Sequence, residues 1–98
     1  MNITKNLVGT SLTITPEGRL DTTTAPQLEA ELAPHLPNLT ELTFDFSNLA
    51  YISSAGLRIL LSAQKVMNKQ GKMCICNVSP DIMEVFTITG FSDILTIK

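Results

Sequence analysis

Two adjacent serines, Ser53 and Ser54, are the residues of this 98-residue chain whose type and position best suit chemistry. They follow a strand-like segment and a short loop, and they precede Gly56 and a stretch with the apolar spacing of a helix. A serine hydroxyl at a helix start can cap free backbone N–H groups. If it is phosphorylated, the same N–H groups and the helix dipole tolerate the added dianion. We therefore interpret the pair as a switch rather than a catalyst, with simple helix capping as the alternative.

Catalytic interpretations of these residues lack the partners that they require. A nucleophile elbow needs a glycine two residues before its serine, and Ile52 stands there in front of Ser54. The single histidine, His35, is not placed beside that serine by any pattern in the sequence. A phosphate-accepting Asp45 would need further acidic metal ligands near the first strand, and none is present. We predict that the protein is not an enzyme and has no catalytic residues.

Cys74 and Cys76 are the remaining candidates for metal or redox chemistry. They alternate along an apparent strand, so they point to the same face, where strand geometry holds their Cβ atoms too far apart for an unstrained disulfide. A metal site would need about four ligands. The sequence therefore predicts two core thiols, no metal site and no cofactor.

Size and composition are those of a globular protein with one domain spanning residues 1–98. A chain of this length buries roughly two-thirds of its unfolded surface and needs no disulfides. The net charge of −2 argues against direct binding of nucleic acid, which favours a basic face. The sequence has no run of about eighteen apolar residues and no basic segment followed by an apolar one at its start. We expect a cytoplasmic protein that does not insert into a membrane.

Strand-like and helix-like segments alternate along the chain. The predicted strands are Asn2–Leu7, Ser11–Thr15, Leu39–Phe46, Lys72–Val78 and Ile94–Ile97. The predicted helices run from Thr24 to about Pro34, from Ser54 to Gln70 before Gly71, and from Ser79 to Gly90. We expect Thr24 to cap the first helix and Gln27 to complete its capping box. Pro16-Glu17-Gly18 should end the second strand.

The order β-β-α-β-α-β-α-β predicts an α/β fold with a mixed, mainly parallel sheet of about five strands and three or four helices. The alternating early strands indicate that one face of the sheet is less covered near the N-terminus. The almost continuously apolar segment from Met73 to Cys76 predicts a central strand. Arg58, Ser62, Lys65 and Lys69 form the polar face of the long helix. That face is either solvated or a docking surface for an acidic partner.

Five motifs in sequence resemble the STAS domain, and specifically the small stand-alone anti-sigma factor antagonists, or anti-anti-sigma factors. They are Gly18–Asp21, Thr24–Pro26, Asp45–Ser47, Ser53–Leu57 and the closing segment from Phe86 through Phe91. The resemblance covers the whole chain and implies the STAS fold. It also implies partner switching. An anti-sigma factor that is also a serine kinase phosphorylates the antagonist, a PP2C-type phosphatase reverses this, and the unphosphorylated form captures the anti-sigma factor and regulates sigma-dependent transcription.

Matched backward from Gly56, the family motif implies phosphorylation at Ser54. Ser53 stands where the family commonly has Asp, and Ala55 where a second hydroxyl residue is frequent, so Ser53 is a competing acceptor. The implied partner-binding residues are Asp21, Tyr51, Ser53, Ser54, Gly56 and Arg58. We expect Gly56 to leave room for another backbone close to the acceptor. The alternative function is a non-switching STAS module, either a scaffold or an accessory subunit of a lipid or anion transporter.

Overall fold

A five-stranded mixed sheet with three α-helices frames the molecule, and the computed structural model describes every residue from Met1 to Lys98. The strands are β1 (Asn2–Val8), β2 (Ser11–Leu20), β3 (Glu41–Asp45), β4 (Leu49–Ile52) and β5 (Lys72–Cys76). The helices are α1 (Ala25–Leu32), α2 (Ser54–Gln70) and α3 (Pro80–Thr89), with short 3-10 turns at Leu36–Asn38 and Phe91–Asp93. The predicted α/β class is confirmed, and α2 has the predicted bounds.

β2 is the strand that connects the sheet. It pairs antiparallel with β1 and parallel with β3, β3 pairs parallel with β5, and the far end of β2 pairs parallel with β4. The β1–β2 hairpin turns at Gly9 and Thr10, between the paired residues Val8 and Ser11. Gly9 has φ +61°, which is the conformation that the first position of a tight two-residue hairpin turn requires.

One face of this sheet carries the hydrophobic core. The inward side chains of β2, β3 and β5 are buried against the helices: Leu12, Ile14, Leu42, Phe44, Met73 and Ile75. The alternate residues of the same strands are only half-buried: Ser11, Thr13, Thr15, Thr43, Cys74 and Cys76. The expectation of a less-covered face is therefore confirmed. The prediction of core thiols is wrong, because both cysteines are half-buried and free on that second face.

The second strand continues beyond the point where Pro16-Glu17-Gly18 was expected to end it. Residues 11–14 pair with β3, and residues 18–20 pair with β4 after a register shift at Gly18. Pro16 lies between these two parallel ladders, so neither loses a hydrogen bond to its missing N–H. The strand β4 was missed, since its two middle residues are exposed between buried ends and give no alternation.

The predicted last strand is reduced to one bridge between Ile75 and Ile97. It rests on two backbone hydrogen bonds, Ile75 N–H to Thr96 O and Lys98 N–H to Ile75 O, each 2.9 Å. β5 therefore lies at the end of the sheet, and the prediction that it is central is wrong. It stops at Cys76 because Asn77 takes a positive φ of 56° that a strand cannot continue. No helix of the chain combines the length and the apolar character that crossing a membrane requires.

Candidate functional site

The pairing of β2 with β4 places the two serines. Leu20 lies opposite Ile52 at the ends of these strands, and the Ser53 N–H donates to Leu20 O at 2.9 Å. Ser53 has an extended backbone and occupies the N-cap position, so that Ser54 is the first residue of α2. The helix therefore begins at the carboxyl end of two parallel strands, next to the loop that follows β2.

The two hydroxyls have opposite surroundings. Ser54 is exposed, whereas the Ser53 oxygen is buried and has no hydrogen-bond partner. The expected cap is not formed, since Ser53 makes no side-chain bond to the first turn of α2. Of the two candidate acceptors, only Ser54 presents its side chain to solvent.

The packing of α2 against the sheet explains why position 56 is a glycine. It is buried, and a Cβ atom at this position would lie 2.7 Å from Leu20 Cγ and 2.8 Å from Ile52 Cγ1. The absent side chain lets α2 lie close against the ends of β2 and β4. The space that Gly56 leaves is thus taken by the core, and our expectation that it makes room for a partner's backbone is wrong.

Asp21 begins the loop that faces this junction. Its carboxylate accepts hydrogen bonds from the N–H groups of Thr23, at 3.0 Å, and Thr24, at 3.1 Å. The bond from the Thr24 N–H is the main reason that the pKa of Asp21 lies below its ordinary value, and the nearby Arg19 adds to the effect. Thr24 does not cap α1 as expected, because its hydroxyl donates to Arg19 O at 2.7 Å. The Asp21 carboxylate binds the two residues that precede α1, and the N–H groups of the first turn bond to the backbone carbonyls of Asp21 and Thr24.

Arg19 also lies in this region, and no role for it is predicted from the sequence. Its guanidinium lies 4.0 Å from the centroid of the Tyr51 ring, and its Nε lies 3.8 Å from the Asp21 carboxylate. Tyr51 is 40% exposed, so this cation–π pair lies at the surface. Arg19 and Tyr51 are cross-strand neighbours only because β4 pairs with β2, and no pattern in the sequence predicted that strand.

Arg58 lies one turn after Ser54 and is exposed. Its Nε is 3.4 Å from the Ser54 carbonyl oxygen, which is a long hydrogen bond. A cleft of about 330 Å³ opens beside it between α1 and α2, lined by residues that include Thr22, Pro26, Glu29, Ala55, Arg58 and Ser62. The start of α2 thus carries the exposed Ser54 and Arg58 next to a cleft that Glu29 also lines, and Arg19, Asp21 and Tyr51 form a group at the adjoining ends of β2 and β4.

A second cleft, of about 420 Å³, is lined by residues from the other half of α2 and from β5, among them Gln64, Asn68, Lys72 and Lys98. It shares no lining residue with the surface around Ser54. No group of three or more His, Cys, Asp or Glu side chains is arranged to hold a metal ion.

Comparison with known proteins identifies the family. A model of the STAS domain matches residues 2–98. The chain belongs to the STAS domain family. BtrV of Bordetella bronchiseptica, whose name assigns it to the anti-sigma factor antagonists, is 36% identical over 99 residues, which cover 99% of this chain and 85% of BtrV. The anti-sigma-B factor antagonist of Bacillus subtilis is 31% identical over 82 residues, covering 83% of this chain and 75% of that protein.

Solved structures agree with this assignment at the level of the fold. The anti-sigma factor antagonist SpoIIAA in its unphosphorylated form has a TM-score of 0.79 at 20% identity, over 99% of this chain and 87% of that chain. The phosphorylated form of SpoIIAA from Bacillus has a TM-score of 0.77 at 19% identity, over 99% of this chain and 91% of that chain. The STAS protein described here is thus a member of the anti-sigma factor antagonist group, as its motifs predicted.

Proposed function

We propose that this STAS protein binds an anti-sigma factor while Ser54 is unmodified and releases it when Ser54 is phosphorylated. The partner is a serine kinase as well as an anti-sigma factor, and a PP2C-type phosphatase restores the unmodified form. The protein acts by binding rather than by catalysis, in the cytoplasm, where sigma factors direct transcription. The observation that carries the proposal is the open hydroxyl of Ser54 beside the sealed oxygen of Ser53.

The modification itself is a phosphoryl transfer from ATP. The Ser54 oxygen loses its proton to a base of the kinase and forms a bond to the γ-phosphorus. The bond between that phosphorus and the β,γ-bridging oxygen breaks, and ADP leaves. The phosphatase reverses the state by adding water across the phosphoester, which returns the hydroxyl and inorganic phosphate.

The energetics favour release of a partner without unfolding. Phosphorylation adds roughly −1.5 to −2 charges at neutral pH. The start of α2 offsets part of this by about 0.3–1 kcal/mol for an exposed charge, and the side chain extends into solvent, so the core is unchanged. In a desolvated interface, a mismatched charge costs about 2–5 kcal/mol. Because each 1.4 kcal/mol is about a tenfold change in affinity, one phosphate is sufficient for release.

The surroundings of Ser54 support its use as a docking surface. Arg58 lies one turn away, and Asp21 and Tyr51 lie at the ends of β2 and β4 that adjoin the helix start. Their side chains are exposed or half-exposed and supply charge of both signs together with an aromatic face. Two relatives that share this fold family are named antagonists of anti-sigma factors. SpoIIAA, which shares the fold, has been solved in phosphorylated and unphosphorylated forms.

The test uses a matched pair of variants, Ser54→Ala and Ser53→Ala, incubated with a candidate serine kinase anti-sigma factor, ATP and Mg²⁺. We expect one phosphate on the wild type and on Ser53→Ala and none on Ser54→Ala, with the site mapped by mass spectrometry. Calorimetry then compares binding of the anti-sigma factor before and after modification. A phosphate found on Ser53 alone contradicts the assigned site. Equal binding in both states contradicts switching and leaves the non-switching STAS module as the function.

A further inference from the structure

The side chain of Arg58 is already directed toward the residue that we propose is phosphorylated. Helical side chains lean toward the N-terminus of their helix, so a residue in the second turn covers the first. Arg58 follows this rule, since its Nε donates to the Ser54 carbonyl oxygen at 3.4 Å. This bond is long, and Arg58 takes part in neither of the two ion pairs of the chain, Lys5–Glu31 and Arg19–Asp21. Its guanidinium is held near Ser54 without a strong partner.

Arg19, the other arginine of this surface, is already engaged. Its guanidinium stacks on the Tyr51 ring at 4.0 Å, and its Nε faces the Asp21 carboxylate at 3.8 Å. Moving it to a new anion would forfeit both contacts. The two arginines are therefore unequal candidates for a phosphate on Ser54, although each carries one positive charge at the same end of the molecule.

We propose that Arg58 is the counter-ion of the phosphoryl group on Ser54 and fixes that group over the first turn of α2. The inference rests on the proposed phosphorylation of Ser54. An acidic group four residues before a basic one is the favourable order on a helix. The planar guanidinium also matches two phosphate oxygens at once, which an ammonium group cannot do. Arg58 is thus a positioning residue of the switch.

This ion pair changes the charge of the surface that a partner contacts. Before modification, Arg58 is an exposed positive charge one turn from Ser54 and takes part in no ion pair. The phosphate adds roughly −1.5 to −2 and occupies the Arg58 guanidinium. Residues 54 and 58 together therefore carry a net negative charge, and the arginine that was free to receive an acidic side chain of the partner is taken up within the chain.

The experiment measures the phosphate directly and needs neither kinase nor partner. Phosphoserine is incorporated at position 54 during translation, and ³¹P NMR follows its second ionisation with pH in the wild type, Arg58→Gln, Arg19→Gln and Arg58→Lys. Since a paired guanidinium favours the dianion, we expect Arg58→Gln to raise the titration midpoint by about 0.2–0.4 pH unit. Arg19→Gln should match the wild type, and Arg58→Lys should fall between the wild type and Arg58→Gln.

Each other outcome overturns the inference. An unchanged midpoint in Arg58→Gln means that the guanidinium does not pair with the phosphate. An equal rise in Arg58→Gln and Arg19→Gln means that both act through the general field of the surface. A rise in Arg19→Gln alone assigns the role to Arg19. Because phosphoserine is incorporated during translation, these results are independent of whether a kinase modifies Ser54 or an anti-sigma factor binds, so the two proposals fail separately.

Discussion

Helices α2 and α3 both begin directly after a serine, yet only one of those serines works as a cap. At α3, the Ser79 oxygen accepts a hydrogen bond from the Ile82 N–H at 3.3 Å, and Asp81 places a negative charge in the first turn. At α2, Ser53 makes no cap bond, and the first turn contains no acidic residue. The start of α3 is thus satisfied by its own side chains, while the start of α2 keeps its positive end open.

Helix α2 is thus held by packing rather than by a cap. Gly56 lets the helix lie against Leu20 and Ile52, and the Ser53 N–H bonds to the end of β2. Since these contacts lie on the inner side, the outer side chain of Ser54 carries no structural role. A residue without a structural role at a helix start can gain a phosphate at little cost in stability.

Adding a negative charge at the start of α2 or of α3 should change partner binding very differently. Ser54→Asp should weaken binding of the anti-sigma factor about tenfold or more, because the carboxylate is desolvated in the complex without a partner. Ser79→Asp adds the same charge where an aspartate can still cap, so it should bind like the wild type. Isothermal titration calorimetry of both variants makes the comparison. Equal weakening would mean that the docking surface spans both helix starts, and the contrast between them would be lost.

Removing the close approach at α2 should cost stability. In Gly56→Ala, the new methyl would overlap Leu20 and Ile52, which are buried and cannot swing into solvent. Overpacking costs about 1–3 kcal/mol, of which alanine's better helix propensity returns part. We expect a net loss of about 1–2 kcal/mol in urea unfolding followed by circular dichroism. Ser54→Ala is the control and should stay within about 0.5 kcal/mol. A Gly56→Ala protein as stable as the wild type would disprove anchoring by packing.

The sequence predicted the extent of α2 closely, and its neighbour β4 not at all. Local signals surround α2: a serine before it, a long helical period within it and Gly71 after it. β4 has only four residues, and it is a strand because it pairs with the end of β2, which is a contact between distant parts of the chain. A pattern read along the chain cannot contain that information. The same limit explains why the C-terminal segment, apolar enough for a strand, forms only one bridge.

The candidate site was likewise predicted only in part. The family motif pointed to Ser54, and the two adjacent serines before Gly56 and a helical period are visible in the sequence. That the Ser53 oxygen is buried while Ser54 is open depends on how the β4–α2 junction packs against β2. The stacking of Arg19 on Tyr51 depends on the same pairing. Sequence therefore supplied the residues, and tertiary contacts decide which of them face solvent.

Removing the serine hydroxyl before α2 and before α3 compares the two caps directly, with a smaller expected change in the free energy of unfolding. Ser79→Ala deletes a working cap and should cost about 1 kcal/mol. Ser53→Ala deletes a buried oxygen that has no partner, so stability should be unchanged or slightly higher. Urea unfolding of the two variants side by side measures this. If Ser53→Ala lost as much as Ser79→Ala, the Ser53 hydroxyl would be a cap in solution and the two helix starts would be equivalent.

Helix α1 extends the comparison, because the loop that leads into it is held by a group that titrates. The Thr24 N–H, and after it the Thr23 N–H, hold the pKa of Asp21 below its ordinary value. A carboxyl with a lowered folded pKa binds fewer protons in the folded protein than in the unfolded chain. Its contribution to stability is therefore complete above the ordinary aspartate value of about 4 and is lost as the pH falls through the folded value.

Asp21→Asn should accordingly flatten the acid side of the stability profile. The pKa of Asp45 is also lowered, chiefly by the hydrogen bond from Asn77. The variant should therefore keep part of the wild-type dependence of stability on pH. Ser79→Ala is the matched control, since a hydroxyl cap does not titrate and its curve should run parallel to that of the wild type. Urea midpoints measured from neutral pH down to about pH 3 test both statements. An Asp21→Asn curve parallel to the wild type would show that the charge of the Asp21 carboxylate contributes nothing to folding. The small effect expected here follows from the partial exposure of that carboxylate, for which water competes.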